Sequence, residues 1–220
     1  MIPEPDLVDR LLRGQAVRER GAAELFERAL PLAPDAEAHR RLLGHVAEER
    51  EHYERVRAVW SAAFARPPAE LDAHVTARLA ERPLPTVSSW LELAVAQFLF
   101  DRAGRFQIGE YVDSSFEPYR TLARDIVADE RGHEDAGARA LLAIVAAPGA
   151  DRAAAQAAVA QSAVNRWLPV SLESFGRPGG EGNARAIAAG LKPRDSAEVA
   201  RDFLADVAPT LAAAGLKLPR

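Results

Sequence analysis

Glu130-Arg131-Gly132-His133 has an earlier counterpart in Glu49-Arg50-Glu51-His52. Each stretch sets a carboxylate and an imidazole three residues apart, which on an α-helix makes them neighbours on one face. A helical bundle holds two metal ions with two such pairs plus one carboxylate from each of two further helices. One copy is weak, because Glu and His are ordinary surface residues. Two copies on two helical hairpins are a pattern.

Reflection through the hairpin turns locates the missing carboxylates. The first turn is expected at Pro31-Leu32-Ala33-Pro34-Asp35, and reflecting Glu49 through it lands on Glu19, thirty residues upstream. The second is expected near Ser114-Ser115-Phe116-Glu117-Pro118, and reflecting Glu130 lands on Asp101, twenty-nine upstream. Each ligand then lies about a dozen residues from its turn, or roughly 18 Å along the axis.

Facing supports the same six residues. Val8, Leu12, Gln15, Glu19, Ala22, Phe26 and Leu30 step by fours and threes, as an inward seam does. Glu24 and Glu27 are rotated off that seam and read as solvated. On the second helix the seam is Leu42, Glu49, His52 and Val56; on the third it is Ala94, Gln97, Asp101, Gly104 and Ile108. On the fourth it is Leu122, Ile126, Glu130, His133, Gly137, Leu141 and Ile144. The plain alternative is a set of buried salt bridges without metal. Four carboxylates on apolar seams would each carry a desolvation cost of several kcal/mol unless paired or metal-bound, which favours the metal reading.

Punctuation along the chain supplies an all-α architecture. The first helix is expected over about Asp6–Leu30 with Asp6 as N-cap, and the second from after Asp35 to about Ala65, stopped by Pro67-Pro68. Residues 69–81 read as a short crossover helix. The third helix begins after Ser88 or Ser89 and runs to Asp113; the fourth spans Tyr119–Val145. A fifth is expected over Asp151–Trp167, then an irregular stretch from Leu168 to Gly180, and a last helix over Ser196–Ala214. Two antiparallel hairpins joined by a crossover make a ferritin-like four-helix bundle. The expectation is one domain over 1–220, with the bundle at about 6–147 and a C-terminal helical appendage at about 151–220.

Composition narrows the chemistry. A formal net charge of −4 lacks the basic excess of a nucleic-acid binder. With no cysteine, thiolate catalysis, iron–sulfur clusters and Cys-ligated zinc are excluded. The acidic start lacks the order of a signal peptide, and no apolar run spans a bilayer, so a cytoplasmic protein with no membrane partner is expected. Four carboxylates and two imidazoles suit two first-row ions, iron first and manganese second. Zinc prefers four-coordinate sites. No catalytic side chain is assigned beyond the ligands. Glu48 and Asp129, each preceding a ligand glutamate, are candidates to accept the ring N–H of a ligand histidine; their alternative is a solvent-facing helix charge. His45 reads as an ordinary hydrogen-bonding residue, and His74 has no visible partner in the sequence.

Longer stretches carry a family resemblance. Asp101-Arg102-Ala103-Gly104, Ser114-Ser115-Phe116-Glu117-Pro118-Tyr119 and Asp129-Glu130-Arg131-Gly132-His133-Glu134-Asp135-Ala136-Gly137 resemble the catalytic-subunit family of phenylacetyl-CoA epoxidase, within phenylacetic acid catabolism. Asn165-Arg166-Trp167-Leu168-Pro169, with Ser171-Leu172 and Phe175-Gly176, is similar to that family's post-bundle segment. So is the end, Phe203-Leu204, Pro209, Leu211 and Gly215-Leu216-Lys217-Leu218-Pro219. The resemblance implies a ferritin-like diiron protein with Glu19, Glu49, His52, Asp101, Glu130 and His133 as ligands. It also implies O2 activation, oxygen transfer to an aromatic acyl-CoA, electrons from a separate reductase and a related partner subunit. The chain is shorter than the family's usual catalytic subunit, and its first helix shows little of the pattern beyond Glu19.

The leading functional expectation is therefore a diiron-carboxylate oxygenase that hydroxylates or epoxidises an organic substrate, with an acyl-CoA such as phenylacetyl-CoA the first to try. It would act as a homo- or hetero-oligomer with O2 and an electron donor as partners. The alternatives are a ferritin- or rubrerythrin-like oxidase or iron-handling protein, and a non-catalytic scaffold subunit of a multicomponent oxygenase.

Overall fold

The computed structural model describes residues 2–130, 133–146 and 150–219, with the backbone alone at 130, 133–135 and 150–153. Among the described residues the chain is helical and has no strand. In chain order the helices are α1 (Pro5–Ala29), α2 (Ala36–Phe64), α3 (Pro68–Glu81), α4 (Trp90–Gly109), α5 (Glu117–Glu130), α6 (His133–Val145), α7 (Ala150–Glu173), α8 (Glu181–Ala188) and α9 (Ser196–Ala213). The residues cluster into two compact units, each assembled from three pieces of chain. The first comprises Met1–Thr86, Tyr111–Ile126 and Arg185–Lys192; the second comprises Val87–Glu110, Val127–Ala184 and Pro193–Arg220.

The first unit is built on the α1–α2 hairpin, with α3 packed on both helices. The expected inward stripe of α1 is buried from Val8 to Phe26. Pro5 stands in the first turn of α1, where its missing N–H costs nothing. The N-cap is Glu4 rather than Asp6, with a left-handed backbone (φ 45°) and a side chain paired with Arg185. A 3-10 turn at Leu30–Leu32 closes α1, and the Asp35 carboxylate accepts the Ala38 N–H at 2.8 Å to open α2. The far end of the hairpin is clasped by polar groups on a buried ring. Fully buried Trp60 donates Nε1–H to Asp9 at 2.8 Å, while Arg13 donates to the other Asp9 oxygen at 2.8 Å and lies over the indole. Asp72 ties α3 to α2 by accepting from Tyr53 at 2.6 Å and from Arg57 at 2.8 and 3.0 Å.

On α3, half-buried His74 gives a testable pH effect. Burial and then the charges of Arg13 and Arg78 hold its pKa below the ordinary 6.5, against the opposing pull of Asp9 and Glu81. A depressed folded pKa means the unfolded chain binds more protons, so stability is full above about pH 6.5 and falls as pH drops toward the folded pKa. His74→Gln is expected to flatten that acid limb. Urea midpoints at pH 7.5 and 5.5 for both proteins check it, and an unchanged slope in the variant would refute it.

The second unit is centred on α4, whose residues from Leu91 to Asp101 are buried on every side. Ser89 caps it by accepting the Glu92 N–H at 3.1 Å, and Glu92 reaches back to the Ser88 N–H at 2.6 Å, the reciprocal pattern of a capping box shifted by one residue. α6, α7 and α9 pack on α4. Contact with α6 is close at Gly137, where a Cβ would stand 2.6 Å from the Phe98 backbone nitrogen. Arg194 crosses from the loop before α9 to buried Glu110 and to Asp202, and Arg102 pairs with Asp206 at 2.6 Å.

One C-terminal expectation needs correction. α7 does not stop at Trp167; it continues through Pro169 to Glu173. Proline inside a helix costs about 3 kcal/mol. Trp167, Leu168 and Ser171 are buried around it, with the Trp167 ring edge-on to Phe100 and, farther on, Phe175 against Phe203. At about 1.5–3 kcal/mol per buried large apolar side chain, those anchors outweigh the proline. Between Gly180 and Ser196, where the sequence reading places no element, lies α8, which buries Ala186 and is followed by Gly190 with φ 66°.

Candidate metal centre

Three of the six expected ligands meet in the first unit. α1 delivers Glu19 from its inward stripe, and α2 delivers Glu49 and His52 from adjacent turns of one face. One ligand atom from each residue can be chosen so that all lie within 4.8 Å of one another. Their side chains are almost sealed from solvent, at 3%, 2% and 1% exposure.

The donor set fits a first-row divalent ion. Two carboxylates and an imidazole mix hard oxygen with borderline nitrogen. With metal–ligand bonds of about 2.0–2.2 Å, three donors spread evenly around one ion lie about 3.5–3.8 Å apart, so the trio, all within 4.8 Å, needs to contract by about 1 Å at most. His52 Nδ1 lies 3.6 Å from Glu19 Oε2. The charge state also suits a ligand. Burial drives the Glu19 carboxyl upward, yet hydrogen bonding and charge attraction from His52, hydrogen bonding with Glu49 and the field of Arg18 outweigh it. The net pKa lies below the ordinary carboxylate value.

The remaining candidates belong to the second unit or face solvent. Asp101 is 3% exposed on α4. Burial alone does not single it out, because the surrounding two and a half turns of α4 are buried too. Glu130 closes α5 and His133 opens α6, but their side chains lie outside the described residues. Glu48 and Asp129 are both exposed, each on a different face from the ligand position that follows it. Glu24 pairs with Arg20 and exposed Glu27 with Arg50, so neither joins the trio. His45 is half-buried with its ring edge-on to Phe26 at 5.8 Å.

Two further residues reach the trio. Gln15 donates its amide N–H to Glu19 Oε1, and the Tyr119 hydroxyl donates to Gln15 Oε1 at 3.3 Å. Gln15 already stood in the α1 stripe, and its spacing of four from Glu19 was the signal that the two side chains would touch. Nothing local to Tyr119 announces that it arrives beside Gln15 from more than a hundred residues away.

A family model described as "Phenylacetic acid catabolic protein" matches residues 39–220. The chain belongs to the phenylacetic acid catabolic protein family. No curated protein matches it. The all-helical structure agrees with the ferritin-like bundle of this family. The match includes Glu49, His52, Asp101, Glu130 and His133 but begins after Glu19, so Glu19 stands on geometry alone. Membership places the protein in phenylacetic acid catabolism, and the buried Glu19–Glu49–His52 group gives this member a place that could hold a metal ion. Among the described residues no helix is long and apolar enough to cross a membrane.

Proposed function

We propose that the protein is a diiron-carboxylate oxygenase acting on an organic acyl thioester, with phenylacetyl-CoA the first substrate to test. The observation that carries this reading is the sealed Glu19–Glu49–His52 trio in a chain of the phenylacetic acid catabolic family. Asp101, Glu130 and His133 are the matching set assigned to a second ion, and all three belong to the second unit. A bound iron pair would supply reductive O2 activation and transfer of one oxygen atom to the substrate, with electrons from a separate reductase. The chain's own contribution is to hold the ions and exclude water. Glu19 stays anionic in a buried setting, and exposure of only a few per cent keeps solvent from the donor atoms.

The deciding experiment counts metal per chain after anaerobic reconstitution with Fe(II). Wild type is expected to hold about two irons, and Glu130→Ala and Glu49→Ala are each expected to lose metal while staying helical. A folded wild type without iron would overturn the proposal. With iron bound, O2 consumption dependent on phenylacetyl-CoA and reductant supports the oxygenase; consumption indifferent to every acyl-CoA tested would instead identify an oxidase.

A further inference from the structure

Tyr119, Gln15 and Glu19 form a buried polar chain inside the first unit. Tyr119 is 0% exposed, Gln15 2% and Glu19 3%. The direction of each hydrogen bond follows from chemistry. The side of the Gln15 amide facing Glu19 is its NH2, which donates to Oε1. The carbonyl oxygen of Gln15 therefore faces Tyr119, and the hydroxyl must donate to it. Tyr119 is itself held by the Tyr111 ring, whose centroid lies 4.8 Å away. The amide can neither flip nor swing without leaving a sealed polar atom unsatisfied.

The two oxygens of Glu19 thus have different tasks. Oε1 accepts from Gln15, and Oε2 is the one turned toward His52. We propose that Gln15, locked by Tyr119, is a positioning residue that reserves one Glu19 oxygen and makes Glu19 a one-oxygen metal ligand. A carboxylate free of such a donor can swing to bind with both oxygens, raising the coordination number and filling a position that an incoming ligand would use. This inference rests on the metal-centre reading and adds a specific control on its geometry.

The test uses Co(II) alone as the probe, on the full chain without reductase or substrate. Visible Co(II) absorption weakens as coordination number rises, so it reports how Glu19 binds independently of turnover. Wild type is expected to bind Co(II), and Gln15→Leu to bind about 10–100-fold more weakly, the usual cost of removing a group that orients a ligand. Its absorption should be weaker per bound ion. Tyr119→Phe is expected to shift both readouts in the same direction by a smaller factor. Should Gln15→Leu fail to fold by circular dichroism, Tyr119→Phe decides alone. Folded variants with lower melting temperature but wild-type Co(II) affinity and spectrum would overturn the proposal, because a purely structural pair would behave that way. Wild type failing to bind Co(II) would instead remove the metal-centre reading, and that result appears before any variant is made.

Discussion

Replacing Glu49 with glutamine will separate two effects that usually move together. Without metal, the variant should be as stable as wild type or slightly more so, because glutamine keeps the volume of Glu49 and offers an N–H that can donate to Glu19 as Glu49 does. An amide cannot ionise, so it also avoids the cost of burying a charge. With metal, the order should reverse. A ligand present at 1,000 times its dissociation constant stabilises the fold by about 4.1 kcal/mol, and a hundredfold loss of affinity cuts that to about 1.4 kcal/mol. The difference of about 2.7 kcal/mol corresponds to roughly 5–11 °C in melting temperature for a chain of this size. Melting curves of both proteins with and without Mn(II) provide the check. Equal metal-induced shifts would exclude Glu49 as a ligand.

The second large effect is expected at Gly137. Alanine there gains about 1 kcal/mol of helix propensity over glycine, so on an exposed helix the change would stabilise. Here the new methyl would meet the backbone of Phe98, at 2.6 Å from its nitrogen and 3.0 Å from its Cα. A backbone cannot turn aside as a flexible side chain can, so α4 and α6 must separate along a contact that includes fully buried Phe98. Overpacking of this kind costs about 1–3 kcal/mol and sometimes more, and the inflexible partner places Gly137→Ala at or above the top of that range. A clear loss of stability is therefore predicted despite the propensity gain. Denaturant melts of Gly137→Ala and Gly137→Ser decide it; a stabilised alanine variant would show that the helices part at no cost. The change should also lower the iron count. Asp101 lies three residues after Phe98, and His133 stands four before Gly137, so parting the helices displaces two of the proposed ligands of the second ion.

Glu19 shows what was legible in the sequence and why. It stood in an apolar stripe, and the turn at 31–35 carried strong prolines, so hairpin symmetry located it. The structure puts it beside Glu49 and His52. Helix starts at Ala36 and Trp90 were equally clear, because Asp35 and Ser89 are strong caps with evident chemistry. Pro169 was misleading because local rules treat proline as a stop, whereas here tertiary burial of the residues around it decides. α8 is short and has no inward stripe to announce it. Tyr119 was the hardest to place functionally, since its partner Gln15 is distant in sequence and no periodicity links them. Glu48 and Asp129 drew attention only by adjacency, and adjacent residues on a helix point about 100° apart.

The interleaving of the two units bears on how the chain can be cut and made. The backbone passes from one unit to the other five times, at Thr86, Glu110, Ile126, Ala184 and Lys192. No single cleavage point yields either unit whole. A nascent chain emerging from the ribosome has Glu19, Glu49 and His52 in hand by residue 52, long before Tyr119, and it must reach Lys192 before the first unit is complete. The trio can therefore meet an ion before the tyrosine that closes its polar chain has been synthesised. Expression of a fragment ending at Thr86 would capture that early stage, with a hairpin that carries three donors but lacks Tyr119 to steady Gln15.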